Sequence, residues 1–236
     1  MNDPLILIPG LMSDARLFGQ QITDLSRARA VMVVLPHPGA TIEEMSANLL
    51  QNAPPRFAIA GLGLGAHVAL DVMRRELARV TKVAFLSADP LGETPEAAAA
   101  REKRMILARS DRLGQAMEAE LPKSALAPTS DRDAIMTLVE DMAFAMGEDV
   151  FIAQSRALQR RRDQQKTLRR ATIPALILAG AQDGLVPVRR QSFMAELMPT
   201  ARVQVIENAG HLLPLERPEA VSKALEGFFN GPLILR

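Results

Sequence analysis

Residues 59–73 read IAGLGLGAHVALDVM, an apolar run that ends in Gly-Leu-Gly-Leu-Gly at 61–65 and continues as a pattern of good helix formers. An unbroken aliphatic run fits a strand covered on both faces better than one with a wet side. Glycines at 61, 63 and 65 allow a turn tight enough to send the chain straight from strand into helix. The stretch therefore predicts a strand over Phe57–Ala60 and a helix over Ala66–Arg79.

Working outward, runs of the same kind recur at Leu5–Ile8, Val31–Leu35, Val83–Leu86, Ala175–Ala179 and Val203–Ile206, and helical patterns at Thr41–Asn52, Val188–Leu197 and Pro218–Phe229. Thr41-x-x-Glu44 has capping-box spacing for the first of these helices. Alternation of buried strand and helix predicts an α/β fold with a doubly wound, mostly parallel sheet of six strands. The alternation breaks once. Segment 89–170 lacks a strand pattern and is rich in Ala, Arg, Glu, Met and Leu, which predicts a helical cap inserted between core segments 1–88 and 171–236. Its expected helices are Glu96–Arg109, Asp131–Ala145 and Val150–Leu168, with breaks at Pro122 and Pro128.

Composition narrows the function classes. The formal net charge of +1 gives no general pull toward nucleic acid or an acidic membrane surface, and Tyr and Trp, two common base-stacking groups, are absent. With no cysteine there is no thiolate nucleophile, disulfide framework or Cys-based metal site. No signal-like or membrane-spanning run is present, so a cytoplasmic protein with a small-molecule partner is expected.

Gly61-x-Gly63-x-Gly65 has the frame G-x-S-x-G, the turn that lifts a nucleophilic serine between strand and helix, with glycine at its centre. A helix beginning at about Leu64 would aim unpaired N–H groups at that turn, a suitable place for an oxyanion. A phosphate cradle of the G-x-G-x-x-G type fits less well, because the third glycine comes one residue early and no acidic residue ends the strand near Leu86. Two later segments bear on the choice. Asp183 follows the strand Ala175–Ala179, and His211 follows the strand Val203–Ile206. Functional groups collect at such strand ends, and turn, acid, histidine is the order of a hydrolase triad. Glu207 and His211 are four apart, but no third ligand has suitable spacing, so neither metal nor cofactor is expected.

Through LILIPGLMSDARLF, FAIAGLGLGAHVAL, IPALILAGAQDGLVP and VIENAGHLLPLERPEAV the chain resembles the α/β-hydrolase superfamily, in particular its small bacterial esterase and enol-lactone hydrolase members. The resemblance implies Gly63 at the nucleophile position, His211 as base, Asp183 as acid, and an oxyanion hole from the N–H groups of Leu11 and Leu64, with Met12 an alternative to Leu11. It also implies that the strand Val31–Leu35 lies at a sheet edge, because the family's two leading antiparallel strands are missing here. The activity implied is hydrolysis of a small carboxylic ester or lactone through an acyl-enzyme. Glycine cannot attack, and three explanations stand open: a substitution of serine that leaves an inactive mutant, a natural noncatalytic binder, or a His211–Asp183 dyad acting without serine. Met12, Leu185, Val186 and Leu212 are expected to contact substrate, as is Arg162, held by Asp163, through a carboxylate. Met142 and Met146 are candidates for an adaptable pocket wall, His37 for the pocket entrance, and His67 is expected on a helix surface.

Overall fold

Six strands pair in parallel in the order β2-β1-β3-β4-β5-β6: β1 Leu5–Ile8, β2 Val31–Val33, β3 Phe57–Leu62, β4 Val80–Leu86, β5 Ala175–Gly180 and β6 Ala201–Ile206. The computed structural model describes residues 2–231; Met1 and residues 232–236, the outer ends of the expected core segments, lie outside the described residues. The strand order reverses at β1, whose neighbours β2 and β3 lie on its two sides, so the loops leaving β1 and β3 open side by side. Ile8 is in register with Gly61 there.

The period-two geometry of a strand divides each apolar run between two cores. Leu5, Leu7, Ala60, Leu62, Leu86 and Leu178 pack on one face, beneath the helices α1 Gly19–Leu25 and α11 Pro218–Asn230. Ile6, Ile8, Ile59, Phe85 and Ile177 pack on the other, against α2 Ile42–Asn52, α3 Leu64–Glu76 and α9 Val188–Glu196. Both faces are dry, so the central strands read as continuous hydrophobic runs. β6 departs from the expectation of a buried strand: it is a sheet edge, and Arg202 through Val205 are exposed. β2 forms the opposite edge and is half-buried.

Between β4 and β5 the chain forms α4 Pro95–Ala108, α5 Leu113–Glu120, α6 Arg132–Met146, α7 Glu148–Gln159 and α8 Gln165–Arg170, with no strand. The helix expected over Val150–Leu168 is two helices, α7 and α8, separated by residues 160–164, and α5 was not anticipated. Met105, Met117, Val139 and Phe151 from this insertion join the core on the α1/α11 face of the sheet. α10 Leu213–Glu216, one turn long, precedes α11.

The side chain of Thr41 accepts the N–H of Glu44, and the Glu44 carboxylate returns to the N–H of Ala40, so α2 starts on a doubly bonded cap. α2 is tied to α3 by a buried carboxylate. Asp71 accepts from the Ser46 hydroxyl and from Nε of Arg74 and Arg75, each arginine at 2.7 Å. Burial pushes the Asp71 carboxyl up, but the hydrogen bonds from Arg74, Ser46 and Arg75 prevail and hold it below the ordinary carboxylate range. Its stabilisation is therefore present above that range and fades as pH falls through the folded value. Asp71→Asn is expected to cost about 2 kcal/mol at pH 7, discounted because both arginines reach solvent. That lowers the thermal midpoint by about 4–8 °C. A thermal melt series from pH 7 to pH 3 should show the gap between parent and variant closing.

Candidate active site

The first turn of α3 sits against the carboxyl end of β1. A Cβ on Gly65 would stand 2.1 Å from the Ile8 carbonyl oxygen, and one on Gly61 would stand 2.3 Å from that of Gly65, so both places exclude any larger residue. Gly63, between them, is held at φ 50°, ψ −110°. Its N–H donates to Leu86 O, and its carbonyl accepts from Ala66 and His67. The turn thus raises one residue above the sheet while the helix begins directly behind it. The N–H groups of Leu64, at the head of α3, and of Leu11, in the loop after β1, have no acceptor among the described residues. The N–H of Met12 is committed to Gln154 Oε1 at 2.8 Å, which excludes it as the alternative donor.

His211 faces this turn. A Cβ built on Gly63 would meet a single neighbour within 4 Å, the His211 Nε2, at 3.7 Å. His211 Nδ1 lies 3.1 Å from both carboxylate oxygens of Asp183. Asp183 Oδ1 also accepts from the N–H groups of Leu185 and Val186, each at 2.9 Å. Burial would raise the Asp183 carboxyl, but the charge and hydrogen bond of His211 and these two N–H groups keep it below the ordinary range. The pair presents Nε2 to the vacant space over Gly63, the arrangement by which a carboxylate fixes the tautomer of a general base.

A second buried carboxylate, absent from the expectations, fixes the histidine loop. Glu216 accepts from the N–H groups of Gly210 (2.8 Å), Leu212 (2.9 Å) and Ala127 (2.8 Å). The His211 N–H itself donates to Ala125 O at 2.9 Å. The insertion segment 124–127 is thus stitched to the histidine loop, and it passes so close to Gly184 and Gly210 that a Cβ on either would come within 2.6 Å of its backbone oxygens. Burial pushes the Glu216 carboxyl up in spite of the three N–H donors.

Gly63, His211, Leu11, Leu64, Leu185, Val186 and Leu212 line one cavity of about 380 Å³. A family model described as "Alpha/beta hydrolase family" matches residues 5–224. The chain belongs to that family. Among curated relatives, "Putative carbamate hydrolase RutD" of Pseudomonas savastanoi pv. phaseolicola is 26% identical over 96% of this chain and 93% of its own length. A pimeloyl-[acyl-carrier protein] methyl ester esterase of Aromatoleum aromaticum is 26% identical over 83% of each. Among solved structures, a thermophilic esterase from Thermogutta terrifontis superposes with TM-score 0.82 at 25% identity, covering 98% of this chain and 90% of that one. An enol-lactonase from Burkholderia xenovorans LB400 superposes with TM-score 0.85 at 20% identity over 98% and 92%, a likeness of fold.

Of the other residues singled out in the sequence, Met12 and Met142 are fully buried and outside the cavity lining, and Met146, partly buried at the end of α6, lies outside it too. His37 does not line the cavity. Arg162 points away: its side chain is 68% exposed and Nε pairs with Glu43 at 2.7 Å, while Asp163 bonds Gln165. Its neighbour Arg161 takes the cavity wall. His67 is buried rather than on a helix surface, because the face of α3 it occupies is covered by the insertion, and it too lines the cavity. Ser87, at φ 46° and fully buried just after β4, was also missed; it lines the cavity with its hydroxyl unpaired. Among the described residues no cluster of metal ligands is gathered, and no helix is long and apolar enough to cross a membrane.

Glu216→Ala would strand three backbone donors. Each buried unsatisfied group costs about 1–3 kcal/mol, and loss of the buried charge offsets part, so a net loss of about 3 kcal/mol is expected. Hydrogen exchange should report it locally, with the amides of Ala127, Gly210 and Leu212 losing protection together.

Proposed function

We propose that this cavity is the active site of a hydrolase of small carboxylic esters or lactones, with Gly63 standing where an acyl-enzyme nucleophile would, so that the chain as written binds such molecules and turns them over little. The observation that carries the reading is the 3.7 Å approach of His211 Nε2 to the Cβ place of Gly63. An oxygen one bond further out would come within hydrogen-bond reach of Nε2, about 2.6–3.2 Å. The esterase and lactonase activities named for the relatives agree with this reading.

With serine at position 63, its hydroxyl would attack the substrate carbonyl as His211 Nε2 accepts the proton. The tetrahedral oxygen would take hydrogen bonds from the N–H groups of Leu64 and Leu11, which are fixed in place before the reaction and need no rearrangement. His211 would return its proton to the leaving alcohol oxygen, or to the ring oxygen of a lactone, and water activated by the same imidazole would release the acid. Asp183 would hold the imidazole in the useful tautomer and offset its charge. No metal or cofactor enters these steps. In the glycine form the oxyanion donors and the binding surface remain, which elsewhere sustains about 10³–10⁴-fold catalysis over water.

Gly63→Ser is expected to raise kcat/KM on short-chain p-nitrophenyl esters and simple lactones by at least about 10³-fold. The same variant should lose about 1–3 kcal/mol of stability, because a side chain at φ 50°, ψ −110° is strained. No gain in turnover with ligand binding intact would make the protein a noncatalytic binder. Adding Asp183→Asn to the serine form should reduce kcat by about 10⁴-fold through the wrong imidazole tautomer, measured with the same esters.

A further inference from the structure

The cavity that holds Gly63 and His211 has a charged wall that the hydrolytic steps leave unused. Arg104 Nε pairs with Glu120 Oε2 at 2.7 Å, and Glu120 also receives Arg101 Nη1 at 2.8 Å. Arg101 Nη2 reaches Glu93 at 3.4 Å, and Glu93 closes the row on Arg161. The result is an alternating series, Arg104–Glu120–Arg101–Glu93–Arg161, with three cations and two anions, and all five residues line the cavity. Asp89, buried on the same lining, acts on Arg161 as well as pairing with the more exposed Arg190 at 3.5 Å, so the lining as a whole sets four arginines against three acids, still one cation in excess. The remaining carboxylate at the site, Asp183, has its oxygens engaged by His211 and two backbone N–H groups.

This wall is buried. Arg101 is 6% exposed and Arg161 is largely enclosed, with its Nε on Leu91 O at 3.0 Å. An uncompensated guanidinium away from bulk water is costly, and the groups that relieve it are carboxylates or phosphates with charge-assisted hydrogen bonds. Three buried nitrogens here also lack a hydrogen-bond partner: Nε of Arg101, Nδ1 of His67, and Nε of Arg104, whose contact with Glu120 is an ion pair without hydrogen-bond alignment. Burial, with Arg161 and Arg101 nearby, holds the His67 imidazole well below its ordinary range, so it is a neutral group. His67 also links the row to the turn. Its N–H bonds the Gly63 carbonyl one turn back along α3, and Arg161 and Arg101 act on its imidazole, so the row and the nucleophile position meet at this residue on one cavity wall.

We propose that the substrate of this site carries a carboxylate a few carbons from its ester or lactone carbonyl, bound as the third anion of the row by Arg101, Arg104 and Arg161. The proposal rests on the hydrolase reading for the place of the carbonyl. A short dicarboxylic acid half-ester has the required form, with the free acid on the arginine row and the ester over Gly63. Arg161, not the Arg162 singled out in the sequence, is the member of the arginine-rich stretch that meets the anion.

The glycine chain permits a direct test, since an ester can be titrated with little turnover. Calorimetric titration with monomethyl glutarate and with its neutral isostere, the methyl ester of glutaramic acid, should give at least a fivefold tighter Kd for the acid. A smaller preference, or no binding of either, overturns the proposal without any substitution. Arg104→Gln, at the more accessible end of the row, should cut the preference at least threefold, with the thermal midpoint as a check on folding. A preference unchanged in a folded Arg104→Gln protein also overturns the proposal. Turnover by Gly63→Ser separates the two readings. Hydrolysis of neutral and anionic esters at equal kcat/KM would sink the arginine assignment alone; an intact acid preference with no turnover would sink only the hydrolase reading.

Discussion

The contact between the first turn of α3 and the end of β1 is the constraint on which the site depends. Because Gly65 brings its backbone against the carbonyl oxygens of Ile8 and Pro9, the helix starts as close to the sheet as a peptide chain permits. Three consequences follow from that single approach. Gly63 is forced to positive φ, Leu64 is left at the helix head with its N–H free, and the loop bearing Leu11 is brought alongside at the point where the strand order reverses. A bulkier residue at position 65 would move the helix and separate all three.

The second half of the site is built by long-range coupling rather than by local turn geometry. Asp183 and His211 leave neighbouring strands, which places them near each other, but their final positions depend on residues 124–127 and on Glu216. The insertion thus differs from a lid laid on a finished core. Its backbone fills the space against Gly184 and Gly210, its helices share the apolar core, and its arginines and glutamates make one wall of the cavity. Conformational freedom of the insertion would be felt directly at the histidine.

The legible parts of the sequence were those governed by period and local chemistry. The inner strands appear as aliphatic runs because both sheet faces are dry there, and the glycine turn, Asp183 and His211 are each fixed by position after a strand. What was not legible depends on tertiary neighbours. β6 reads as a buried strand from Val203, Val205 and Ile206, yet both valines are exposed on the edge; the alternating Arg202 and Gln204 in ARVQVI are the signal that sets it apart from the inner strands. Glu216 sits in LPLERPE like an ordinary solvent-facing acid, and it is buried because its donors Gly210 and Leu212, just upstream, are joined by Ala127 from a distant segment. Arg161 and Arg162 are indistinguishable by type, and the end of α7 at Gln159 decides which one faces inward. His67 follows the same logic: its helical position marks a face, but only the packed insertion says that the face is covered.

The electrostatics of the site bear on what the glycine at 63 means for the chain. Charges held away from water are destabilising unless matched, and the cavity and the loops behind it retain several: Asp183 behind His211, Glu216 behind the histidine loop, and an arginine row with one cation in excess. At φ 50°, ψ −110° glycine escapes the strain that a side chain would feel there, so the turn suits the residue it carries. The groups that bury charge and fix dipoles are held by the fold independently of any side chain at position 63. Under the proposed reading, their joint effect would be to favour a molecule that brings negative charge to the arginines and a polarised carbonyl to the N–H groups of Leu11 and Leu64. On that same reading, recognition and oxyanion stabilisation would reside in backbone geometry and paired charges, and nucleophilic attack alone would call for a side-chain atom at position 63.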